Sequence, residues 1–417
     1  MRRLMGAAVL LVLAAGLLHA EVPIERPGRV ERVPEPLGPH WVWASDVLLR
    51  RSALLDLDRG AFVGMISTGY LSPWAAFARS RREFYLPETY YSRGSRGVRT
   101  DVVTIYDATS LAPAGEVVIP PKRAINVLPS ANAALSDDDR FLAVFNMTPA
   151  TSLSVVDLER REFAGEITTP GCSLVYAAGP RRFLTICADG SLLTVTLDER
   201  GREASKRRSE PFFDPEADPV TEKAVRYGDL WLFVSFEGYV HPVDVSGDEP
   251  RAGERWSLID DEGRRRSWRV GGSQHLAVHE PTGRLYSLMH RGGADTHKSP
   301  GFELWVYDLE TRQRIQRIAL RHPGLAFLSE TVAFGQSWIW PFHRLWDFLL
   351  DHVVPNPGLN QVQVTQDDAP LLITGSRFGG SLAVYDALSG EFLRRVSSGN
   401  LTIHALQAPW GGRGQVR

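Results

Sequence analysis

The sequence lacks the short motifs that most often mark a catalytic or nucleotide-binding chain. It contains no G-x-S-x-G nucleophile elbow, no phosphate-binding P-loop, no H-E-x-x-H zinc motif and no C-x-x-C pair. Each of these motifs places a nucleophile, a phosphate or a metal by its spacing, so the sequence gives no evidence for those chemistries. His275 and His279 are close in sequence but lie in a predicted strand, about 13 Å apart, and we do not expect them to share a metal.

Long apolar runs are also missing after the N-terminus. Residues 1–20 combine a basic start, an apolar run from Leu4 to Leu18 and a small residue, Ala20. This pattern predicts a secretory signal cleaved near Ala20, with an uncleaved anchor as the alternative because Leu18 is less typical than alanine at its position before the cut. No later stretch offers about 18 uninterrupted apolar residues, so we expect no stable membrane insertion of the mature chain.

Neither sign of charge dominates the chain. Of its 47 basic side chains, Arg2 and Arg3 lie in the first twenty residues, which leaves 45 against 49 acidic ones. This slight acidic excess gives no reason to expect a nucleic acid or an anionic membrane as a partner. The mature length of about 397 residues exceeds one compact core and favours either several domains or one repeat architecture.

One sequence unit recurs seven times. Each copy has a strand rich in β-branched residues, an acidic residue in a tight turn and a second apolar strand. The acidic residues are Asp56, Asp107, Asp157, Asp198, Asp244, Asp308 and Asp386, with the copies at Asp198 and Asp244 the weaker ones. The first four intervals are 51, 50, 41 and 46 residues, the period of a four-stranded propeller blade. We predict an all-β, seven-bladed β-propeller of four-stranded antiparallel blades, forming one domain over residues 21–417.

Further features fit the same pattern. We expect the repeated Asp to hold its turn by accepting hydrogen bonds from backbone N–H groups rather than to act in catalysis. The segments ALSDDDRFLAVFN, VHEPTGRLYSLMH and VTQDDAPLLITGS are predicted to be inner hairpins of blades. The last two intervals are 64 and 78 residues, and the longer one indicates an insert of roughly thirty residues between the sixth and seventh units.

The only two cysteines, Cys172 and Cys187, flank a predicted hairpin turn at Gly179 and Pro180. Residues equidistant from a hairpin turn face each other across the strands, so the two sulfurs are placed to meet. In an exported protein this favours a disulfide. A disulfide that closes a 15-residue loop stabilises the folded state by about 3 kcal/mol. Two buried free thiols are the alternative.

The tract YYSRGSRGVRTD, residues 90–101, combines arginines, glycines and tyrosines in a predicted loop before a strand. One interpretation is a recognition loop in which Arg93, Arg96 and Arg99 bind carboxylates or backbone groups of a partner. The other is a structural loop held by internal salt bridges. The sequence does not decide between the two.

Ordered blocks of sequence carry a resemblance to a known family. They read GYLSP, YYSRGSRGVRTDVV, FNMTPATSLSVVDL, PGCSLVY with FLTICADGSL, SEPFFDP, SFEGYVHPVDVSG, GGSQHLAVH, THKSPGFELWVYD and VTQDDAPLL. On these blocks, which cover most of the mature chain, the sequence resembles the heavy subunit of the quinoprotein amine dehydrogenases, the methylamine and aromatic amine dehydrogenase family. The resemblance implies a seven-bladed propeller in the periplasm.

The resemblance also implies that this chain carries no cofactor and has a partner that does. In that family the redox cofactor, tryptophan tryptophylquinone, belongs to a small light chain, and two heavy and two light chains form the complex. The complex oxidises a primary amine to an aldehyde and ammonia and passes the electrons to a blue copper protein such as amicyanin or azurin. The family's heavy-chain disulfide matches Cys172 and Cys187.

The same resemblance implies a role in the substrate channel for Tyr70. The family's heavy chain contributes an aromatic residue to the amine channel in the block that reads GYLSP here, so Tyr70 is expected to line the route to the quinone. A packing residue at a blade edge is the alternative.

The chain departs from the family at one place. Relatives run almost directly from the Arg-His-Pro block at 321–323 into the strand before VTQDD, whereas this chain interposes residues 324–358.

The insert contains a short amphipathic segment rich in tryptophan and phenylalanine. From Phe342 to Val353 apolar residues recur on one side of a predicted helix, which at about 20 Å is too short to cross a bilayer. The candidate docking face consists of Phe342, Leu345, Trp346 and Leu349. Three fates are open to it: packing on the propeller itself, docking the light chain or the electron acceptor, and lying on a membrane surface.

The sequence therefore favours the heavy subunit of a periplasmic amine dehydrogenase. A stand-alone secreted propeller that binds a ligand or a protein, without enzymatic activity, is the alternative. A self-sufficient propeller hydrolase or lyase would need a polar cluster at the channel mouth, and residue spacing does not identify one.

Overall fold

The computed structural model describes residues 32–33, 37–126, 128–324 and 343–409, apart from the side chains of residues 343–347. The predicted signal, residues 1–20, lies outside these ranges. From Val33 onwards the chain forms one compact unit, in which seven antiparallel sheets are the blades of a propeller. The predicted all-β, seven-bladed fold is therefore confirmed. None of the helices in the described ranges is long and apolar enough to cross a membrane.

Each blade has four strands, which we name A to D from the central channel outward. Blade 1 takes β1 (Trp41–Asp46), β2 (Arg51–Asp56) and β3 (Ala61–Ser67); blade 2 takes β4 (Ala76–Phe77), β5 (Glu83–Tyr91), β6 (Arg99–Asp107) and β7 (Pro113–Ile119); blade 3 takes β8 (Ala133–Leu135), β9 (Phe141–Asn146), β10 (Ser152–Asp157) and β11 (Glu162–Thr168). Blade 4 takes β12 (Cys172–Ala177), β13 (Arg182–Cys187), β14 (Leu192–Leu197) and β15 (Glu203–Arg208).

The remaining blades follow in chain order. Blade 5 takes β16 (Val225–Tyr227), β17 (Leu230–Val234), β18 (Tyr239–Asp244), β19 (Arg251–Ala252) and β20 (Trp256–Ser257); blade 6 takes β21 (Trp268–Val270), β22 (Leu276–His279), β23 (Arg284–Arg291), β24 (Glu303–Asp308) and β25 (Arg314–Ala319). Blade 7 takes β26 (Gln361–Val364), β27 (Leu371–Gly375), β28 (Ser381–Asp386) and β29 (Phe392–Ser397), and β30 (Ala405–Gln407) completes blade 1. Helices are few: α1 (Asp261–Arg265), α2 (His343–His352) and 3-10 turns at Ser130–Asn132 and Glu280–Thr282.

Two blades contain a broken strand rather than a fifth one. In blade 5 both β19 and β20 pair with β18, so together they are its outer strand. In blade 6 both β21 and β22 pair with β23, so together they are its inner strand. Neither break interrupts the four-stranded plan of the ring.

The inner strands surround the channel and the ring is closed in blade 1. Strands β4, β8 and β12 contact one another in turn, as do β16, β22, β26 and β30. Strand β30 pairs with β1 in the register Trp43↔Gln407, Ala44↔Leu406 and Ser45↔Ala405. Blade 1 therefore combines a strand from near the end of the described chain with three strands from near its beginning.

The core lies between blades, because each sheet covers the face of the next. Phe141, Phe183 and Phe233 occupy the B strands of blades 3, 4 and 5, are fully buried and belong to one cluster. A four-stranded sheet exposed on both faces could not bury such residues, so neighbouring blades stabilise one another.

The repeated Asp residues hold the turns between strands C and D, as predicted. The Oδ1 atom of Asp56 accepts hydrogen bonds from the backbone N–H groups of Asp58 and Arg59 at 3.0 and 3.1 Å. The same type of contact recurs at Asp107, Asp157, Asp198, Asp244, Asp308 and Asp386. The predicted inner hairpins are also present, as β8–β9, β22–β23 and β26–β27.

Strand direction sorts the connections onto two faces. Because successive strands are antiparallel, the B–C turns and the D–A connections between blades lie on one face, which we call the front face. The A–B turns and the C–D turns with the repeated Asp residues lie on the other, the back face.

The disulfide prediction is confirmed. Cys172 and Cys187 are bonded and are direct partners in the register of β12 with β13. They join strands A and B of blade 4. This is the hairpin pairing that the spacing of the two residues predicted.

In the sequence the insert lies between the outer strand of blade 6 and the inner strand of blade 7, as predicted. Its described residues 343–358 belong to a D–A connection and so to the front face. Its helix α2 covers part of the predicted segment. In this helix Leu350 is buried and Leu349 is partly buried. Asp351 forms ion pairs with Arg395 and, at 3.2 Å, with Arg321. Phe348 is 55% exposed. The end of α2 therefore packs on the propeller itself, while Phe342 and the side chains of Leu345 and Trp346 lie outside the described part.

Candidate functional site

Tyr70 lies on the front face, in the connection from blade 1 to blade 2. Its half-buried ring meets the edge of Tyr91 at 5.9 Å between ring centroids, with an interplanar angle of 87°. The guanidinium of Arg50 lies 5.1 Å from the centre of the same ring, a cation–π contact. Arg50 comes from the B–C turn of blade 1 and Tyr91 from the end of β5. Two connections and the end of a strand therefore meet at the Tyr70 ring.

The backbone just before Tyr70 is held by a buried carboxylate. Glu88 is fully buried in β5, and its Oε1 accepts a hydrogen bond of 2.6 Å from the N–H of Gly69. Its Oε2 accepts a hydrogen bond from the hydroxyl of Thr104. Burial raises the pKa of Glu88, and these hydrogen bonds act in the opposite direction. A Cβ at position 69 would lie 2.9 Å from the Cβ of Glu88, so only glycine allows this close approach.

The backbone at Tyr70 itself is held by a buried cation. The Nη2 atom of Arg123 donates to the carbonyl oxygen of Tyr70 at 3.0 Å, to Oγ of Ser72 at 3.1 Å and to Oγ1 of Thr89 at 3.0 Å. Burial lowers the pKa of Arg123 to about 10, and the charge of Asp101 opposes that shift. The guanidinium thus stays protonated at neutral pH. The rigid guanidinium group of Arg123 thus binds three acceptors around the connection that contains Tyr70.

Arg99 completes this buried network. Its Nε and Nη2 atoms donate to the two carboxylate oxygens of Asp101 at 2.8 and 2.7 Å, and Nη2 also donates to the carbonyl oxygen of Arg123 at 2.7 Å. Of the three arginines singled out in the sequence, this one is therefore held by internal partners. Arg93 and Arg96 are exposed in a turn closed by a 2.9 Å backbone hydrogen bond between them. For these two, recognition of a partner stays a prediction.

Exposed apolar side chains gather around this site on the front face. Val98 is 73% exposed, Phe378 69% and Leu48 66%. Others in B–C connections or D–A connections are Leu49, Met147, Phe302 and Leu401, and exposed Tyr90 lies near the end of β5. Among the described residues, the turns of the back face contribute one large exposed apolar side chain, Leu388. Apolar surface concentrated in this way is typical of an interaction site.

Behind Tyr70 the chain enters the central channel. A cavity of about 330 Å³ is lined by Leu71, Ser72 and Trp74 from the Tyr70 connection, and by Tyr176 and Trp231 from blades 4 and 5. The indole N–H of Trp74 donates to the carbonyl oxygen of Leu128 at 2.8 Å. The loop that positions Tyr70 therefore also forms one wall of the channel.

The candidate metal pair of the sequence is occupied by structural contacts. A ring nitrogen of His275 lies 3.2 Å from the hydroxyl of Thr221, and His279 contacts Thr282 and the carbonyl oxygen of Asp367 at 2.7 and 3.0 Å. Within the described ranges, no group of three or more His, Cys, Asp or Glu side chains is arranged to hold a metal ion.

Sequence reasoning singled out Tyr70, whose role stays a prediction, but missed Glu88 and Arg123, the two buried side chains that hold its backbone. Glu88 offered one signal, since it is an acid within the otherwise apolar strand EFYLPETYY. Arg123 offered none, because PPKRAIN reads as a solvated loop. The fold and this site define a seven-bladed propeller with a half-buried tyrosine and several exposed apolar side chains on its front face.

The chain belongs to the methylamine dehydrogenase heavy chain family, whose model matches residues 47–327. The heavy chain of Methylophilus methylotrophus is 24% identical over 344 residues, covering 82% of this chain and 76% of the relative. That of Paracoccus versutus is 26% identical over 347 residues, covering 82% and 72%. The matched segment includes Tyr70, Arg123 and the disulfide.

A solved structure supports the fold alone. A functionally unknown protein from Desulfotomaculum acetoxidans is similar with a TM-score of 0.54, at 11% sequence identity, covering 88% of this chain and 98% of that protein. At this identity the likeness extends to the propeller and not to an activity.

Proposed function

We propose that the chain is the heavy subunit of a periplasmic amine dehydrogenase. The reaction is R–CH2–NH3⁺ + H2O → R–CHO + NH4⁺ + 2 H⁺ + 2 e⁻, with the electrons passed to a blue copper protein of the amicyanin or azurin kind. The quinone cofactor, tryptophan tryptophylquinone, belongs to the light chain, and two heavy and two light chains form the complex. Membership of the heavy-chain family is the main support.

The position of Tyr70 is the observation that carries the role of this chain. Its ring edge is exposed on the front face, among apolar side chains, while its backbone is fixed by Glu88 and Arg123. A rigid aromatic wall at a subunit boundary limits the size of a substrate that passes it, and each excess methylene costs about 1–3 kcal/mol. We infer that this chain shapes the entrance of the amine to the light-chain cofactor.

The front face is also the proposed docking surface for the light chain. Exposed Leu48, Val98, Phe378 and Leu401 lie on blades 7, 1 and 2 around Tyr70, and Arg93 and Arg96 stand beside them with exposed guanidinium groups. An apolar centre with arginine at its rim is the usual composition of a protein interface.

Export to the periplasm rests on two supports. Residues 1–20 have the pattern of a secretory signal. The Cys172–Cys187 disulfide is the form in which cysteine pairs persist in oxidising compartments.

Co-expression with a small, cysteine-rich light chain of the same family tests the proposal. We expect a complex with a visible quinone band that bleaches when methylamine or a larger primary amine is added. tert-Butylamine is the matched control, because it has no hydrogen on the α-carbon and forms no aldehyde. A complex whose quinone band does not change when any primary amine is added would contradict the enzymatic role. A chain that purifies alone and colourless would favour a stand-alone binding protein.

A further inference from the structure

A second cavity of the central channel contains a buried lysine that the proposed function does not use. The cavity has a volume of about 300 Å³ and lies beside the inner strands of blades 5, 6 and 7. Its lining includes Lys223, Ser273, Gln274 and His275 together with Trp74 and Trp231. The wall is therefore polar on one side and aromatic on the other.

Lys223 is buried without a hydrogen-bonding partner. Its side chain is 9% exposed, and its Nζ atom makes no hydrogen bond with any part of the chain that the structure describes. The carboxylate of Glu222 forms a long ion pair with it at 3.8 Å, a distance beyond that of a hydrogen bond. Burial lowers the pKa of the Lys223 amine, and the positive charge of Lys298 lowers it further against the opposing charge of Glu222.

The polar groups next to Lys223 are already paired. Gln274 donates to the carbonyl oxygen of Leu406 at 2.8 Å and accepts from its N–H at 3.0 Å. The guanidinium of Arg226 holds both carboxylate oxygens of Asp137. The amide oxygen of Gln274 is therefore already used as an acceptor, and Arg226, a cation, offers the lysine no acceptor.

The nearby histidines do not neutralise the lysine either. Burial, followed by the charge of Lys223, keeps the pKa of His275 well below its ordinary value, so this ring is neutral at neutral pH. The Nδ1 atom of His297 also lacks a hydrogen-bond partner in the described ranges, and its ring stacks on Phe236 at 3.7 Å. Burial and the charges of Lys223 and Lys298 lower the pKa of His297 as well.

A buried ammonium group without hydrogen bonds is unfavourable, and an oxyanion supplies both the missing acceptors and the opposite charge. We propose that this cavity binds a small oxyanion, a carboxylate or a phosphate group, through the ammonium group of Lys223. A volume near 300 Å³ is at the lower end of ligand pockets and suits a small molecule. The proposal does not depend on amine oxidation, because neither Tyr70 nor its supporting residues line this cavity.

Isothermal titration calorimetry of the full mature chain, in the complex in which it purifies, tests the site. Inorganic phosphate and acetate are titrated separately, with potassium chloride holding the ionic strength constant. We expect saturable binding of at least one anion, weakened at least tenfold in Lys223→Met. Lys206→Met is the matched control, since Lys206 lies on the outer strand of blade 4 and pairs with Glu203 at 3.1 Å, and it should bind like the wild type. The anion that binds more tightly identifies the ligand class.

A second measurement separates a binding site from a structural one. Lys223 makes no hydrogen bond with a described residue, and its ion pair with Glu222 is long and partly exposed. Lys223→Met should therefore melt no lower than the wild type in the absence of anion, whereas loss of a stabilising ion pair would lower the melting temperature. Lys223→Gln serves if the methionine variant does not fold. Equal anion affinity of the wild type and the variant would overturn the proposal. The absence of saturable heat in the wild type up to about 50 mM of either anion would also overturn it, because a site with a dissociation constant of a few millimolar would be filled at that concentration.

Discussion

The guanidinium of Arg123 donates a hydrogen bond of 3.0 Å to the backbone carbonyl oxygen of Tyr70. A buried cation from the connection between blades 2 and 3 thus fixes the backbone of an exposed aromatic residue between blades 1 and 2. From the other side, the carboxylate of Glu88 binds the N–H of Gly69. The backbone at Gly69 and Tyr70 is therefore held by two buried ionisable side chains, one acidic and one basic.

Arg123→Met should destabilise the propeller. The change leaves the buried acceptors at Tyr70, Ser72 and Thr89 without a donor, and we expect a loss of about 3 kcal/mol in the free energy of unfolding. Urea denaturation measures it. Arg93→Met is the control, because its exposed side chain should change stability by no more than about 0.5 kcal/mol. Equal stability of the two variants would show that the buried network does not support the fold.

Substitutions at Tyr70 should change substrate preference rather than stability. No hydrogen bond joins the Tyr70 hydroxyl to a described residue, so Tyr70→Phe should keep its contacts with Tyr91 and Arg50 and behave like the wild type. Tyr70→Ala removes the wall, and kcat/KM for a bulky amine relative to methylamine should rise by about tenfold or more. Steady-state kinetics of the assembled complex gives the ratio. A ratio unchanged in the alanine variant would place the entrance elsewhere.

Removal of the disulfide should lower stability without altering the fold. Cys172 and Cys187 are separated by 15 residues, and a loop of this length makes the bond worth about 3 kcal/mol. The double variant with serine at both positions should unfold at a correspondingly lower urea concentration. Adding a reductant should affect the wild type and leave the double variant unchanged. A reductant effect of similar size on both would mean that it acts elsewhere.

His40 should make stability depend on pH near neutrality. Its Nδ1 lies 2.8 Å from a carboxylate oxygen of Asp58 in blade 1, and its Nε2 3.0 Å from Asp367 in blade 7. Because both partners accept, both ring nitrogens donate only in the imidazolium form. Burial lowers the pKa of His40, but the hydrogen bonds and charges of Asp58 and Asp367 outweigh it and raise the pKa above its model-compound value of 6.5.

A group with a raised folded-state pKa stabilises the fold fully below its unfolded pKa and less as pH rises through the folded value. Stabilisation by His40 should therefore be complete below pH 6.5 and be lost above it. The difference in unfolding free energy between wild type and His40→Gln, measured between about pH 5 and 8.5, should shrink with rising pH. A difference that stays constant would show that the charge of His40 contributes nothing.

Local chemistry made most of the fold predictable. The Asp of each C–D turn acts within two or three residues, so its spacing revealed seven blades, and the symmetric spacing of Cys172 and Cys187 about a turn revealed their pairing. The broken strands of blades 5 and 6 escaped prediction, since short strands such as Arg251–Ala252 have too few residues to show alternation.

The site was predicted less completely, for a physical reason. Tyr70 came from a sequence block shared with a family, whereas the groups that hold it are distant in sequence. Arg123 and Tyr70 are 53 positions apart, and Glu88 is 19 from Gly69. Contacts between neighbouring blades leave no periodic trace in the sequence, because each partner reads locally as an ordinary strand or loop residue.

Closure by β30 sets the order in which the molecule is completed. Residues 405–407 add the innermost strand of blade 1, so the blade that begins first along the chain is finished last. Blades 2 to 7 each consist of strands that are consecutive in the chain, but the ring stays open until residues 405–407 pair with β1. A chain that ends before Ala405 would therefore have a three-stranded blade 1 and an open ring, so the central channel depends on a strand near the end of the described chain.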